Sequence, residues 1–143
     1  MRVVAQVEAV ATRGLVGDHR VDKTPGSGRQ VTLISKEFID QIALYLGLAS
    51  VDPRLLRRNL VISGINLNAL RYQSFLIGDA EFVAGALCHP CSRMETALGE
   101  GGVAAMLGHG GLCCEVMQGG FIRTGDSVRV STAHRTVELF DTL

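Results

Sequence analysis

The stretch Leu87-Cys88-His89-Pro90-Cys91-Ser92-Arg93-Met94 puts two thiols, an imidazole and a guanidinium within eight residues. Proline favours the first helical position, so a helix is expected from Pro90 to about Leu98, stopped by Gly99. A thiol at such a helix opening feels the positive end of the helix dipole, and a neighbouring cation such as Arg93 adds to the field favouring thiolate. Cys91 is therefore the candidate nucleophile. The plainer fate of a cysteine outside a disulfide is that of a small buried hydrophobe, and position alone does not separate the two.

Cys88 and Cys91 also form a Cys-x-x-Cys, which can be a redox pair or half of a metal site. A thioredoxin-like motif follows the first strand of an α/β unit, whereas here more than eighty residues of mixed β pattern come first. Zinc would need two further ligands. The adjacent Cys113 and Cys114 lie on a strand pattern and point to opposite faces, so only one of them could join such a site.

Asp18 and His19 lie in a glycine-containing loop, where the ordinary reading is a turn aspartate beside a solvated histidine. His19 could instead hydrogen-bond an anion or give up a proton near neutral pH. His89 is either a helix cap, a surface side chain or a ligand contact, while His109 and His134 acquire no role. Arg29, Arg57, Arg58 and Asn59 could form an anion-binding wall, because guanidinium forks grip oxyanions at two points. Arg54 reads as part of a solvated charge run. Gly101-Gly102 and Gly110-Gly111 could let backbone approach a ligand, but neither a phosphate-loop Lys-Ser nor a dinucleotide fingerprint accompanies them; ordinary turns explain most of these glycines.

The elements that must position these residues follow from pattern. Residues 2 to 11 alternate as a strand with Val3, Ala5, Val7, Ala9 and Ala11 on one side. From Thr12 to Arg29 the glycines, Pro25 and Ser27 break the pattern into a long irregular loop. Gln30–Ile34 is β-type. Ser35 then caps a helix to about Leu46 with Ile39, Ile42, Ala43 and Leu46 on one face, Ile34 and Ile39 as its staple and Gly47 as its stop. Asp52–Arg57 suggests a helical turn leading to a strand over Arg58–Ser63. Ser74–Ile77 and Glu81–Ala84 flank the turn Gly78-Asp79 as a hairpin. Val103–Leu107 could be helix or strand, and three short strands follow at Leu112–Met117, Asp126–Ser131 and Thr136–Phe140. The result is one domain over residues 1–143, mainly β and barrel-like, with two or three inserted helices.

Composition narrows the classes. At 143 residues the chain can bury roughly two thirds of its unfolded surface without staples. Lys+Arg and Asp+Glu balance at 14 each, so no general field draws the chain to nucleic acid or an anionic membrane. The N-terminus has no secretory pattern and no apolar run approaches the roughly 18 residues that span a bilayer. A cytoplasmic protein is expected, with reduced cysteines that are better read as thiols, ligands or catalysts than as a disulfide framework.

Five ordered blocks now stand together: Gly17-Asp18-His19, Arg29–Ile34, Arg57–Ile65, Pro90-Cys91 and Gly119–Asp126. In their order and spacing the chain resembles the MOSC domain, named for the C-terminal domain of molybdenum-cofactor sulfurases, over nearly its whole length. The resemblance implies a β-barrel-like fold whose characteristic cysteine, following a proline, lies in a pocket built by the other blocks. Cys91 matches that cysteine, and Asp18, His19, Arg29, Arg58 and Asn59 match positions around it, with His89 and Arg93 flanking. It further implies either a sulfur carrier, holding a persulfide delivered by a pyridoxal-phosphate-dependent cysteine desulfurase, or a module binding the molybdenum cofactor (molybdopterin) with Cys91 near or on the metal. Some stand-alone members reduce N-hydroxylated compounds, so a molybdenum-dependent oxidoreductase served by a redox donor protein is one implied role and a sulfur-transfer component another. No pyridoxal-phosphate domain is present in these residues, so sulfur or electrons must come from another protein. Cys88 is not carried over from the family pattern. Two alternatives stand beside this: a non-catalytic interaction module, and a zinc or dithiol protein using Cys88 and Cys91.

Overall fold

The computed structural model describes residues 3–23 and 25–131, with the side chains of His19 and Arg20 outside that description. The strand expected at Thr136–Phe140 and the loop holding His134 lie outside the described residues. Nine strands and three short helices occupy the rest, with three single 3-10 turns, a mainly β fold with helical insertions whose larger sheet curls as a half-barrel.

The smaller sheet joins β1 (Gln6–Val10), β2 (Gly14–Leu15) and β8 (Gly120–Arg123) in the order β2-β1-β8. β1 is shorter than the alternation over residues 2 to 11 suggests. Ala9 is its one fully buried side chain, and Val3 and Val4 are exposed, because the sheet has only β8 and the two-residue β2 to pair with. The stretch read as a loop from Thr12 to Arg29 contains β2 and a 3-10 turn over His19–Asp22.

The larger sheet runs β4-β3-β7-β6-β5-β9, built from β3 (Val31–Ser35), β4 (Leu60–Ile62), β5 (Ser74–Ile77), β6 (Ala80–Leu87), β7 (Leu112–Gln118) and β9 (Val128–Val130). β5 and β6 form the expected hairpin across Gly78-Asp79. β3 and β4 are parallel, which requires a crossover, and helix α1 (Lys36–Leu46) supplies it. α1 begins and ends where the sequence says: the Ser35 hydroxyl accepts from Phe38 N at 2.9 Å, and Gly47 takes the left-handed φ of 69° that closes the helix onto Ala43 and Leu44 carbonyls.

Two apolar clusters hold the layers together. One fills the sheet interior around Leu33, Leu67, Phe75, Phe82, Leu112 and Val116; the other, around Ile34, Ile39, Ile42, Leu56, Met94 and Met106, packs the three helices on the β3 side. Helix α2 (Ser92–Leu98) and helix α3 (Gly102–Met106) are locked to each other by Glu95, whose carboxylate accepts from Gly101 N at 2.8 Å and Val103 N at 2.9 Å. The stretch Val103–Leu107, ambiguous in the sequence, is thereby helical as far as Met106, with Leu107 as the cap. The helix expected to open at Pro90 opens at Ser92 instead. Cys91 keeps an extended backbone (φ −118°, ψ 178°) and serves as the N-cap, its carbonyl accepting from Met94 N at 2.8 Å.

Candidate functional site

A cleft of about 620 Å³ opens on the outer face of the β6–β7 pair. Its floor is Val83 to Leu87 with Cys113 and Glu115, its wall is Ser27 to Arg29, and His89 stands at its edge. The β6–β7 register shifts between Ala84 and Leu87, and this irregularity interrupts the ladder under the floor. Gln30, 2% exposed, fixes the wall to the floor: its side-chain amide donates to Ser27 O at 2.7 Å and its carbonyl accepts from Val116 N at 2.8 Å.

The four cysteines have separate environments. Cys114 points into the sheet interior among Leu112 and Val116, and burial pushes its thiol up from the ordinary value. Cys113, its neighbour, faces the other way and lines the cleft, as alternation on a strand requires. Cys88 lies diagonally across the ladder on that same face, and its Sγ is 3.0 Å from the Sγ of Cys113. The hydrogen bond with Cys113, and then burial, push the Cys88 thiol strongly up, so Cys88 keeps its proton. Cys91 is exposed, and its side chain makes no capping hydrogen bond to α2. The partner of Cys88 is thus Cys113 rather than Cys91.

Behind these thiols lies Arg58, 6% exposed. Its Nε donates to Gly110 O at 2.7 Å and its Nη1 to Leu56 O at 3.0 Å, while Nη2 is buried with no hydrogen-bond partner among the described residues. Burial lowers its affinity for a proton, partly offset by the Cys88, Cys113 and Cys91 thiols, all within electrostatic range, while the Arg29 guanidinium adds to the lowering. A buried cation with an open donor and no carboxylate partner among the described residues is a receptor for negative charge. Gly110 makes the arrangement possible. A Cβ there would collide with the Cys88 carbonyl and lie 3.5 Å from Arg58 Nη2.

The other sequence-derived residues distribute as follows. Asn59 Nδ2 donates to Asp18 Oδ2 at 3.1 Å, and Asn59 Oδ1 accepts from Thr32 N at 2.9 Å, so Asp18 and Asn59 meet across 41 residues beside β3. Arg29 and His89 border the cleft; Arg93, on the first turn of α2, is exposed outside its lining. The His19 backbone lies in the 3-10 turn next to Asp18. Arg54 pairs with Asp52 in solvent. Gly110-Gly111 brings backbone against backbone, at Cys88 and Leu33, rather than against a ligand. Cys113, Gln30 and Glu115 were missed as site residues because only strand pairing puts them at the cleft; the opposite facing of Cys113 and Cys114 was the one available signal.

Among the described residues no group of three or more His, Cys, Asp or Glu side chains is placed to hold a metal ion, and none of the helices is long and apolar enough to cross a membrane.

Residues 20–129 match the model of the MOSC domain. The chain belongs to the MOSC domain family. Its MOSC fold is shared with the crystal structure of YuaD from Bacillus subtilis, at 23% identity and a TM-score of 0.74 over 89% of this chain and 85% of that one. It is shared also with the YiiM crystal structure from Escherichia coli, at 16% identity and a TM-score of 0.72 over 92% of this chain and 65% of the other. By sequence the chain is 30% identical over 127 residues to Bacillus subtilis YuaD, whose name provisionally places it among metal-sulfur cluster biosynthesis proteins. That match covers 77% of this chain and 64% of YuaD, so the MOSC chain described here spans about two thirds of its relative.

Proposed function

We propose that this MOSC domain carries sulfur as a persulfide on Cys91. The observation that supports this best is the contrast among the thiols: Cys91 is the exposed one of the four, untied by any cap, with the buried Arg58 cation in electrostatic range. A persulfide needs an accessible thiolate to form and a cation to stabilise its terminal charge. The sulfur would come from a cysteine desulfurase, a pyridoxal-phosphate enzyme, acting on Cys91 from solvent in a reducing, cytoplasmic setting. The name of YuaD gives the sulfur a fitting destination in a metal-sulfur centre.

A second reading, molybdenum-cofactor binding, is favoured by a separate observation. The cleft is large enough for a pterin, Arg29 forms part of its wall, and Arg58 offers an unpartnered buried donor, which together suit a bulky anion. Arg29, Arg58 and His89 would hold molybdopterin, with Cys91 next to its metal, and the bound group would supply redox chemistry to a donor protein and substrate. Asn59 and Asp18 would brace the same wall through β3, with His19 beside them as a proton donor and Arg93 steering anions toward Cys91.

Purification without oxygen of the wild type and Cys91→Ala, followed by exposure to a cysteine desulfurase with its substrate, tests both. One added sulfur by intact mass, absent in Cys91→Ala, is the result expected. Molybdenum at one per chain, lost in the variant, would support the second reading instead; neither would overturn both and leave an interaction module.

A further inference from the structure

The Cys88–Cys113 pair is not needed to hold a persulfide on Cys91, and its placement is unusual for two buried thiols. Their sulfurs are 3.0 Å apart, closer than non-bonded contact and about 1 Å beyond a disulfide bond length of about 2.05 Å. Cys88 lies one residue past the end of β6, where its N–H donates to Gly111 O at 2.7 Å, and so sits diagonally opposite Cys113 of β7, which is in the cleft lining. Cys91 follows Cys88 by three residues, which limits their Cα separation to roughly 10–11 Å. The three thiols share one buried guanidinium, Arg58.

We infer that Cys88 and Cys113 are a built-in dithiol that reduces sulfane sulfur and releases it as sulfide. The inference rests on Cys91 as the entry point. Cys113 opens the exchange, because it lines the cleft while Cys88 lies beyond the lining, with its sulfur 3.0 Å from that of Cys113. The Cys113 sulfur attacks the terminal sulfur of the Cys91 persulfide; the S–S bond of Cys91 breaks, Cys91 leaves as the thiol and Cys113 becomes the persulfide. Cys88 then attacks the inner sulfur of Cys113, forming the Cys88–Cys113 disulfide and expelling hydrogen sulfide. In sum, one persulfide and two thiols give one thiol, one disulfide and hydrogen sulfide. The sulfane sulfur is reduced by two electrons and the two thiols are oxidised by two; the Cys113 proton passes to Cys91, and the Cys88 proton joins the persulfide's own on the departing hydrogen sulfide. A dithiol reductant of the thioredoxin class, or a small dithiol, must restore the pair between turnovers.

The test is a single turnover without added reductant. Wild type, Cys88→Ser, Cys88→Ala and Cys91→Ser are loaded with a low-molecular-weight thiol persulfide and freed of it by gel filtration. Released sulfide, the sulfur left on the protein and the cysteine linkages are then measured, with circular dichroism to confirm folding. The wild type should release about one sulfide per chain and acquire a Cys88–Cys113 disulfide. Both Cys88 variants should keep the sulfur and release at least tenfold less. Wild-type release unchanged in both Cys88 variants, or no Cys88–Cys113 linkage after release, would overturn the dithiol while leaving the carrier reading intact. Release that persists in Cys91→Ser but fails in the Cys88 variants would uphold the dithiol and remove Cys91 as its source. No loading and no release in the wild type would overturn both.

Discussion

Gly110→Ala places a single methyl at the point where the thiols, the arginine and the backbone meet. The new Cβ would collide with the carbonyl of Cys88, a backbone atom that no rotamer change can move, and would lie 3.5 Å from Arg58 Nη2. Relief requires Gly110 and the segment at Cys88 to separate. Overpacking of this kind costs about 1–3 kcal/mol. The shift also strains the bond from Arg58 Nε to Gly110 O, 2.7 Å in the wild type, and a bond from a charged donor is worth roughly 1.5–3 kcal/mol if lost. With the bond lost the two together come to about 2.5–6 kcal/mol, which at a urea m-value of roughly 2 kcal/mol/M lowers the unfolding midpoint by about 1–3 M. Gly28→Ala, in the cleft wall, is the control: nothing lies within 4 Å of its Cβ position, so it should change stability by less than about 1 kcal/mol, in the stabilising direction. Equilibrium urea unfolding of the three proteins decides the matter. A Gly110→Ala midpoint equal to that of the wild type would show that the Cys88–Gly110–Arg58 contact does not constrain the folded chain.

Gln30→Ala removes the two side-chain hydrogen bonds by which Gln30 links Ser27 to β7, leaving Val116 N buried without an acceptor; we expect a loss of about 1–3 kcal/mol and faster proteolysis between residues 25 and 29. Cys114→Ser puts a hydroxyl into the apolar sheet interior and should cost about 1–3 kcal/mol in urea unfolding, whereas Cys91→Ser, at an exposed position, should stay within about 0.5 kcal/mol. Glu95 is held below the ordinary carboxylate value, first by the Val103 N–H and then by the Gly101 N–H. Its contribution is present above the unfolded carboxylate pKa and disappears as pH falls through the lower folded one. Thermal melts should therefore show a smaller acid-induced loss of stability in Glu95→Gln than in the wild type between about pH 5 and pH 3.

What was legible in the chain was what local chemistry decides. Ser35 and Gly47 bracket α1 because a hydroxyl cap and a left-handed glycine act within one turn, and the Gly78-Asp79 hairpin is likewise a local event. β8 was hidden because Gly119-Gly120 reads as a turn; its strand character comes from pairing Gln6–Ala9 with Gly120–Arg123, more than a hundred residues away. The parallel β3–β4 pair, which sets Asn59 beside Thr32, was equally non-local. Pro90 misled by one common preference: the extended backbone of Cys91 delays the helix to Ser92.

The cysteines show the same division between local and long-range information. Period-two alternation already separates Cys113 from Cys114, but it cannot say which strand lies alongside. The Leu87–Leu112 register answers that, since it sets Cys88 two positions diagonally from Cys113 and on the same face. A slip of one residue in that register would turn Cys113 into the core and Cys114 toward Cys88. The pairing of Cys88 therefore depends on the same ladder that buries Leu112, Cys114 and Val116, and the core's requirement for one register is also what aligns the two thiols beside the cleft. Chemistry at Cys91 draws on its exposed loop and on the Arg58 cation held by Gly110 and Leu56, whereas chemistry at Cys88 and Cys113 depends in addition on the β6–β7 register.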